Sequence, residues 1–213
     1  MDYIYIQMIE NSLIKANNDY SKLNEDLLDI FGMSGKRTRH FYNNLLGYNS
    51  LNLLEIGAYT GISTSCAMYK NKNNIVVIDN FSEFGNVKEE LINNIEKYKG
   101  DNDIIFYEDD CFNIDLKKFN SKFNIYIYDA GHTIEDQYKA LVYYQDVLED
   151  IFIYIVDDWN YLPTNIGTLH AINDLNLKIL YKKEIYTNHK HNREDNDING
   201  YWNGMGIFIL KKK

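Results

Sequence analysis

LNLLEIGAYTGISTS, residues 51–65, is the stretch that decides the fold. Residues 51–56 have the composition of a short strand that is buried on both faces. Gly57 and Gly61 then allow a sharp turn and a close approach of a ligand to the backbone, and Ser63 and Thr64 suit the N-cap of a helix. A strand, a tight loop and a helix in this order are typical of nucleotide sites in open α/β sheets. The spacing E-x-G-x-x-x-G differs from the dinucleotide pattern G-x-G-x-x-G, so an ordinary strand-turn-helix without a ligand is an alternative.

Six further segments have the apolar pattern of strands. In chain order they are 75–79 (IVVID), 103–108 (DIIFYE), 123–128 (FNIYIY), 151–156 (IFIYIV), 178–186 and 206–210. Helix-length segments separate the first five predicted strands, which favours right-handed crossovers and a mostly parallel sheet. Only a polar loop joins the last two strands, which predicts an antiparallel hairpin at one edge. We therefore predict a doubly wound α/β fold with seven strands.

Helical periodicity defines the segments between these strands. The predicted helices are two within residues 3–30, then 39–46, 64–69, 87–99, a helix capped by Thr133, and 166–175. The chain has one proline and no Gly/Ser-rich or Pro-rich linker. We expect a single domain of residues 1–213, in which N-terminal helices of residues 1–47 cap a core of residues 51–213.

The net charge of −9 gives a nucleic-acid partner no overall electrostatic support, so a small-molecule or neutral substrate is expected instead. The one concentrated basic segment is residues 36–40, KRTRH. Its Lys36, Arg37, Arg39 and His40 could face an anionic group such as a carboxylate, or could belong to a solvated helix start. Homo-oligomer formation is left open.

Cysteine use and hydropathy bear on the compartment. Cys66 and Cys111 do not form a disulfide-scaffold pattern, which indicates free thiols in a reducing compartment. No apolar run approaches the length that spans a membrane, and the first residues lack the basic start of a signal peptide. A cytoplasmic protein with no membrane partner is expected.

Polar side chains follow the predicted parallel strands, and the ends of such strands meet at one edge of a sheet. They are Glu55, Asp79, Asp110, Asp129, His132, Asp157 and Asp158. Asp129, Asp157 and Asp158 are hard oxygen ligands suited to Mg²⁺, Mn²⁺ or Ca²⁺. His132, three residues after Asp129, could act on whatever the metal holds. Taken singly, each has a plainer explanation: acidic residues often end strands as solvated turn formers, and a lone histidine often bonds a helix start.

LNLLEIGAYTGIS, IDNF, YEDDCF, YDAGHTIEDQYKAL and IVDDWN, in this order, resemble the motifs of class I S-adenosylmethionine-dependent methyltransferases, whose fold is Rossmann-like. The predicted terminal hairpin agrees. D-A-G-H after the fourth strand and D-D after the fifth are similar to the metal-dependent O-methyltransferases of the macrocin and cephalosporin-pathway type. Several of those enzymes act on sugar hydroxyls. The resemblance covers about residues 35–210.

The resemblance implies roles for individual residues. Those implied to bind S-adenosylmethionine are Glu55, Gly57, Ala58, Tyr59, Gly61, Ser63, Asp79, Asn80, Asp110, Cys111, Phe112 and Asp129. Asp129, Asp157 and Asp158 are implied to hold a divalent cation, Mg²⁺ or Mn²⁺, and His132 with Asp129 is implied to be catalytic. Family members often have glutamate or asparagine in the final pair, so which of the two aspartates binds metal directly is open.

The expected function is methyl transfer from S-adenosylmethionine to a metal-held hydroxyl, with a sugar or glycan as the acceptor. Alternatives are a catechol or another small molecule as acceptor, a nucleotide-dependent oxidoreductase, and a non-catalytic cofactor-binding protein. The loop of residues 187–203 is either a lid over the acceptor or a solvated hairpin loop. A pyranose face could stack on the aromatic side chains of Tyr59, Trp159, Tyr161 and Trp202.

Overall fold

A computed structural model describes residues 2–85, 87–188 and 197–213 of the chain, which form one seven-stranded sheet with helices on both faces. The strands are β1 (Asn52–Ile56), β2 (Asn74–Asp79), β3 (Asp103–Glu108), β4 (Phe123–Tyr128), β5 (Leu148–Asp157), β6 (Lys178–Ile185) and β7 (Met205–Lys211). Their order is β3-β2-β1-β4-β5-β7-β6, and β7 is antiparallel to both of its neighbours. The predicted doubly wound sheet with its C-terminal hairpin is confirmed.

Seven α-helices connect and cover the strands of the described chain. They are α1 (Asp2–Asn17), α2 (Glu25–Leu28), α3 (Lys36–Leu45), α4 (Ile62–Met68), α5 (Lys88–Tyr98), α6 (Ile134–Tyr144) and α7 (Leu162–Asp174). Short 3₁₀ turns follow at Leu46–Tyr48, Leu116–Lys118 and Gln145–Val147. Helix α7 begins four residues before its predicted start, because Pro163 fits the first helical turn, where its missing N–H is not needed.

The sheet is buried on both faces, as a parallel sheet between helices must be. Leu53 belongs to the hydrophobic cluster that includes α1, α3 and α4, whereas its neighbour Leu54 belongs to the cluster formed with α6 and α7. Ile9 of α1 lies in the first of these clusters, so the N-terminal helices share the core of the sheet.

The strand order reverses beside β1, which pairs with β2 on one side and with β4 on the other. The chain therefore leaves β1 and β4 toward opposite faces, and a crevice opens between their carboxyl ends. Cys66 and Cys111 are both free thiols in the structure. Among the described residues, no helix combines the length and the apolar character that a membrane crossing requires.

Candidate active site

A cavity of about 1000 Å³ opens at the carboxyl ends of β1 to β5. The residues singled out from the sequence that line it are Gly57, Ala58, Tyr59, Ser63, Asp79, Asn80, Asp110, Cys111, Phe112, Asp129, His132, Asp157 and Asp158. Glu55 and Gly61 are not among the lining residues. The fold thus brings most of the predicted site residues to one cavity.

The glycine loop is held against the end of β4. Gly57 has a φ of +82°, and a Cβ atom on it would lie 1.9 Å from the carbonyl oxygen of Asp129. The backbone N–H of Asp129 donates to the carbonyl oxygen of Ile56 at 2.9 Å. Only glycine fits this contact, and it sets Asp129 directly beside the loop.

Asp79, at the end of β2, braces the same loop. Its Oδ2 accepts hydrogen bonds from the backbone N–H groups of Ala58 and Tyr59, both at 2.8 Å, and its Oδ1 accepts from the N–H of Phe81 at 2.7 Å. Tyr59 and Phe81 both have positive φ angles, +50° and +54°. One carboxylate therefore stabilises two strained turns at the cavity wall.

Glu55 and Gly61 support the glycine loop and the start of α4 but do not line the cavity. Glu55 is 1% exposed and accepts hydrogen bonds from the hydroxyls of Ser63 and Thr64. Burial raises the pKa of Glu55 to about 7, against the opposing effect of the two hydroxyl donors. The helix cap is Gly61, with a φ of +75°, so Ser63 lies inside α4 and does not cap it.

Helix α6 fixes the loop that follows β3. The hydroxyl of Tyr144 donates to the carbonyl oxygen of Cys111, and that of Tyr143 donates to the carbonyl oxygen of Ile114 at 2.8 Å. Asp110 Oδ1 accepts a hydrogen bond from the backbone N–H of Phe112 at 2.8 Å. These contacts hold three of the residues implied to bind S-adenosylmethionine, Asp110–Phe112, at one end of the cavity.

The opposite end carries a cluster of acidic groups and a histidine. Asp129, His132 and Asp158 each have a possible ligand atom within 4.8 Å of those of the other two. His132 Nε2 lies 2.6 Å from Asp158 Oδ2. Asp157, which the sequence grouped with Asp129 and Asp158, is 4% exposed and is more deeply buried than either of them. The sequence predicted a metal site of Asp129, Asp157 and Asp158. In the structure the closest group of possible ligand atoms contains His132 instead of Asp157.

The pKa values in this cluster are far from their ordinary ones. Burial and the charges of Asp157 and Asp158 raise the pKa of Asp129 well above its usual range, and burial and Asp158 do the same for Asp157. Burial lowers the pKa of His132, but the hydrogen bond and the charges of Asp158 and Asp129 outweigh burial and raise it to about 9. Negative charge is thus concentrated where it is poorly solvated.

This donor set fits a hard divalent cation. Carboxylate oxygens are the ligands that Mg²⁺ and Mn²⁺ prefer, and Oδ1 of Asp157 is buried with no hydrogen-bond partner among the described residues. Asp158 has a φ of +52°, and it lines the same cavity as its neighbour Asp157. Strain of this kind is common at ligand sites.

The basic segment of residues 36–40 has a structural role. The guanidinium of Arg39, 5% exposed, donates to carbonyl oxygens of the α2–α3 connection, including those of Leu28 at 2.9 Å and Ile30 at 2.8 Å. The other three side chains also have partners: Lys36 pairs with Asp29, Arg37 with Asp19, and His40 with the hydroxyl of Ser21. None of the four lines the cavity, so the solvated or structural alternative is supported over the anion-binding one.

Several lining residues were not recognised from the sequence. They are Phe31, Gly32, Met33 and Ser34 before α3, Ile62 in α4, Phe81–Gly85 after β2, Tyr128, Ala130 and Gly131 at the end of β4, and Asp136 in α6. Phe31 follows α2, is 73% exposed and lies edge-on to Tyr59. The paired glycines Gly32 and Gly35 were the available sign that this segment turns out of the helix.

The loop after β6 contributes one of the aromatic residues that the sequence suggested. Residues 189–196 lie outside the described residues, so the prediction of a lid is addressed only by residues 187, 188 and 197–203. Trp202 lines the cavity with a φ of +55°, and its carbonyl oxygen accepts from the hydroxyl of Thr187 at 2.9 Å. Trp159 is fully buried and Tyr161 does not line the cavity, so stacking by these two residues is wrong.

No protein-family model matches the sequence, and a search of curated proteins found no match. Solved structures do match. An O-methyltransferase from Bacillus cereus in complex with SAH aligns over 96% of this chain and 100% of its own, with a TM-score of 0.59 and 12% identity. TrmN from Thermus thermophilus covers 88% of this chain and 52% of its own, with a TM-score of 0.58 and 10% identity.

A third match is the ribosomal protein L11 methylase from Lactobacillus delbrueckii subsp. bulgaricus. It aligns over 83% of this chain and 78% of its own, with a TM-score of 0.53 and 14% identity. Together with the strand order, these matches show that the chain has the class I fold of S-adenosylmethionine-dependent methyltransferases.

Proposed function

We propose that this protein transfers a methyl group from S-adenosylmethionine to a hydroxyl group of a sugar or glycan, with Mg²⁺ or Mn²⁺ bound at the acidic cluster. One observation carries the proposal. A single cavity joins a braced glycine loop at the ends of β1 and β2 with the donor cluster of Asp129, His132 and Asp158 at the ends of β4 and β5. A nucleotide-dependent oxidoreductase would leave that cluster without a task.

The cofactor half of the proposal is supported by the loop geometry. The contact between Gly57 and the backbone of Asp129 keeps side chains out of the crevice, so a ligand can approach the main chain of residues 57–59. Asp79 carries the charge that would accept hydrogen bonds from ribose hydroxyls while it braces the loop. S-adenosylmethionine, when bound, supplies an electrophilic methyl group on a sulfonium.

The acceptor half is supported by the chemistry of the acidic cluster. Asp129, Asp157 and Asp158 would hold the cation, which would lower the pKa of an acceptor hydroxyl. At neutral pH, without a cation, His132 holds a proton because Asp158 and Asp129 raise its pKa. A cation between those carboxylates would offset their charge and free the imidazole of His132 to take the proton of the hydroxyl.

A sugar hydroxyl is proposed over a catechol because an aliphatic alcohol is much less acidic than a phenol. It therefore needs both a cation and a base, and this cavity offers groups for both. Tyr59 and Trp202 both line the cavity, and each could pack on a pyranose face. The net charge of −9 supports a small neutral acceptor over a nucleic acid.

Binding and turnover test the proposal in sequence. Thermal shift with S-adenosylmethionine and with NAD, each with and without Mg²⁺, should reveal stabilisation by the methyl donor alone. Release of S-adenosylhomocysteine should then be assayed with methyl glycosides, nucleotide sugars and catechols. Stabilisation by NAD alone would reject methyl transfer, and turnover of catechols alone would reject the sugar.

Metal dependence is a separate prediction. EDTA should abolish turnover, and Mg²⁺ or Mn²⁺ should restore it, because the carboxylates of Asp129 and Asp158 would otherwise leave the acceptor hydroxyl unpolarised. The measurement is the initial rate of S-adenosylhomocysteine release. Full activity in the presence of EDTA would refute the role of the cation but not the use of S-adenosylmethionine as the methyl donor.

Replacement of His132 tests the base. His132→Ala should lower kcat by about 10²–10⁴, the range expected when a general base is lost, and should leave the affinity for S-adenosylhomocysteine unchanged. His170→Ala is the matched control, since His170 is exposed on α7 and does not line the cavity. A near-normal kcat in His132→Ala would show that His132 is not the general base and has a structural role.

A further inference from the structure

Asn160, in the turn after β5, makes side-chain hydrogen bonds that the proposed function does not yet use. Its Nδ2 donates to the carbonyl oxygen of Thr187 at 3.0 Å and to the Thr187 hydroxyl at 2.8 Å. Its Oδ1 accepts from the backbone N–H of Thr187 at 3.0 Å. These three bonds join the turn that carries Asp158 to the start of the loop between β6 and β7, residues 186–204.

The far end of the same loop is fastened to this turn as well. The backbone N–H of Asn160 donates to the carbonyl oxygen of Asn203 at 2.9 Å, and the Thr187 hydroxyl donates to that of Trp202 at 2.9 Å. Gly204 has a φ of +87°, and a Cβ atom on it would lie 2.7 Å from Asn160 Oδ1, so a glycine leaves room for the asparagine. The contact between Asn160 and Thr187 therefore holds both ends of the loop together.

The loop has a second attachment that does not involve Asn160. The backbone N–H groups of Lys36 and Arg37, at the start of α3, donate to the carbonyl oxygens of Ile198 and Gly200 at 2.7 and 3.0 Å. Removal of the Asn160 side chain should therefore shift the end of the loop without releasing the loop from the protein.

The two elements that Asn160 joins both reach the cavity. Asp158 lines it from the turn after β5, and Trp202 and Asn203 line it from the end of the loop. Loops longer than about 15 residues are uncommon inside a domain, and many of them form binding sites. An acceptor whose hydroxyl lay at a cation on Asp158 would therefore have Trp202 beside it.

We propose that Asn160 is a positioning residue for the acceptor, because its contact with Thr187 holds Trp202 beside Asp158. Methyl transfer needs the acceptor oxygen in line with the methyl group, and a small displacement of a positioning group lowers the rate steeply. This inference rests on the proposed function and adds the residue that sets the position of the acceptor.

Fluorine NMR of protein labelled with 5-fluorotryptophan tests the inference with Mn²⁺ as the only added probe. The chain has two tryptophans, Trp159 next to Asp158 and Trp202 in the loop, and Trp202→Phe assigns their signals. Paramagnetic Mn²⁺ at the acidic cluster, added well below one equivalent, should broaden both signals in the wild type. In Asn160→Ala the Trp159 signal should broaden as before and the Trp202 signal should broaden less, because the paramagnetic effect falls steeply with distance.

Thr187→Val is the second variant. It keeps the shape of the side chain but loses the hydroxyl that accepts from Asn160 and donates to Trp202. In both variants the KM for a methyl glycoside should rise about tenfold, while the affinity for S-adenosylhomocysteine stays the same. Thr187→Ser, which keeps the hydroxyl, should restore the KM that Thr187→Val raises.

Asn165→Ala is the matched control. Asn165 is half-buried like Asn160, but its Nδ2 donates to the carbonyl oxygen of Trp159, within the turn itself, at 2.8 Å. Its replacement should lower the melting temperature by about 2–4 °C and leave the acceptor KM and the broadening of Trp202 unchanged.

Three outcomes separate the inference from the proposed function. If Trp202 broadens in Asn160→Ala and Thr187→Val as it does in the wild type, or if their acceptor KM is unchanged, the inference alone is overturned. If Mn²⁺ broadens neither signal in the wild type, the cation site of the proposed function is overturned and this inference with it.

Discussion

Replacing Asp79 by asparagine changes one atom of the brace that holds the glycine loop. In the wild type, Oδ2 accepts from the N–H groups of Ala58 and Tyr59 and Oδ1 accepts from that of Phe81. An asparagine amide has one acceptor oxygen and one NH₂ donor. If the oxygen faces Ala58 and Tyr59, the NH₂ group opposes the N–H of Phe81, so at least one of the three bonds is lost.

The size of the effect follows from these contacts. A hydrogen bond to a charged group contributes about 1.5–3 kcal/mol, and the two bonds that survive become neutral ones. Asp79 is partly exposed, so the lower part of this range applies. We expect Asp79→Asn to lower the free energy of unfolding by about 2 kcal/mol, which corresponds to about 4–8 °C in melting temperature for a chain of this size.

Urea unfolding and calorimetry with S-adenosylhomocysteine measure the two consequences. The control is Asp110→Asn, because Asp110 is exposed and accepts a single bond, from the N–H of Phe112, that an amide oxygen can keep. We expect its stability to stay within about 0.5 kcal/mol of the wild type. The affinity of Asp79→Asn for S-adenosylhomocysteine should fall by about tenfold, since the loop that it braces lines the cavity.

Two results would refute this reasoning. If Asp79→Asn were as stable as the wild type, the three hydrogen bonds would contribute nothing to the fold. If its stability fell while its affinity for S-adenosylhomocysteine stayed the same, Asp79 would brace the loop without taking part in cofactor binding.

Three further predictions concern the same cavity. Gly57→Ala should lower the free energy of unfolding by at least ~3 kcal/mol, because the new Cβ would meet the backbone of Asp129. Gly100→Ala is the control: it has open space around it and should lower the free energy of unfolding by only ~1 kcal/mol. Urea unfolding measures both. The raised pKa of Glu55 stabilises the fold below pH 4.5, and this stability is lost as the pH rises through about 7. The free energy of unfolding of the wild type, relative to that of Glu55→Gln, should therefore fall by ~3 kcal/mol between pH 4.5 and 8. A difference that does not change with pH would contradict a protonated Glu55. Trp202→Ala should raise the KM for the acceptor and leave the affinity for S-adenosylhomocysteine unchanged, and equal KM values would exclude an acceptor contact.

The sequence by itself determined the sheet and the edge at which the site forms. Apolar runs and helical periods are local signals, and short connections allow few ways to assemble them, so the mostly parallel sheet and its antiparallel hairpin follow from the pattern. Gly57 was identified because a tight turn after a buried strand needs a residue without a side chain. Thr133 was identified as a helix cap for an equally local reason, and its Oγ1 accepts from the N–H of Asp136 at 3.0 Å.

Only the tertiary structure decided what the charged and aromatic side chains do. Arg39 was a candidate for an anionic ligand, but carbonyl oxygens of a separate segment surround its guanidinium. Trp159 was a candidate for stacking, but the packing of β5 against β7 buries it over Phe208. His132 joins Asp158 because the ends of β4 and β5 meet in space. Long side chains choose partners according to distances that only the folded chain defines, and neither residue type nor spacing along the sequence fixes those distances.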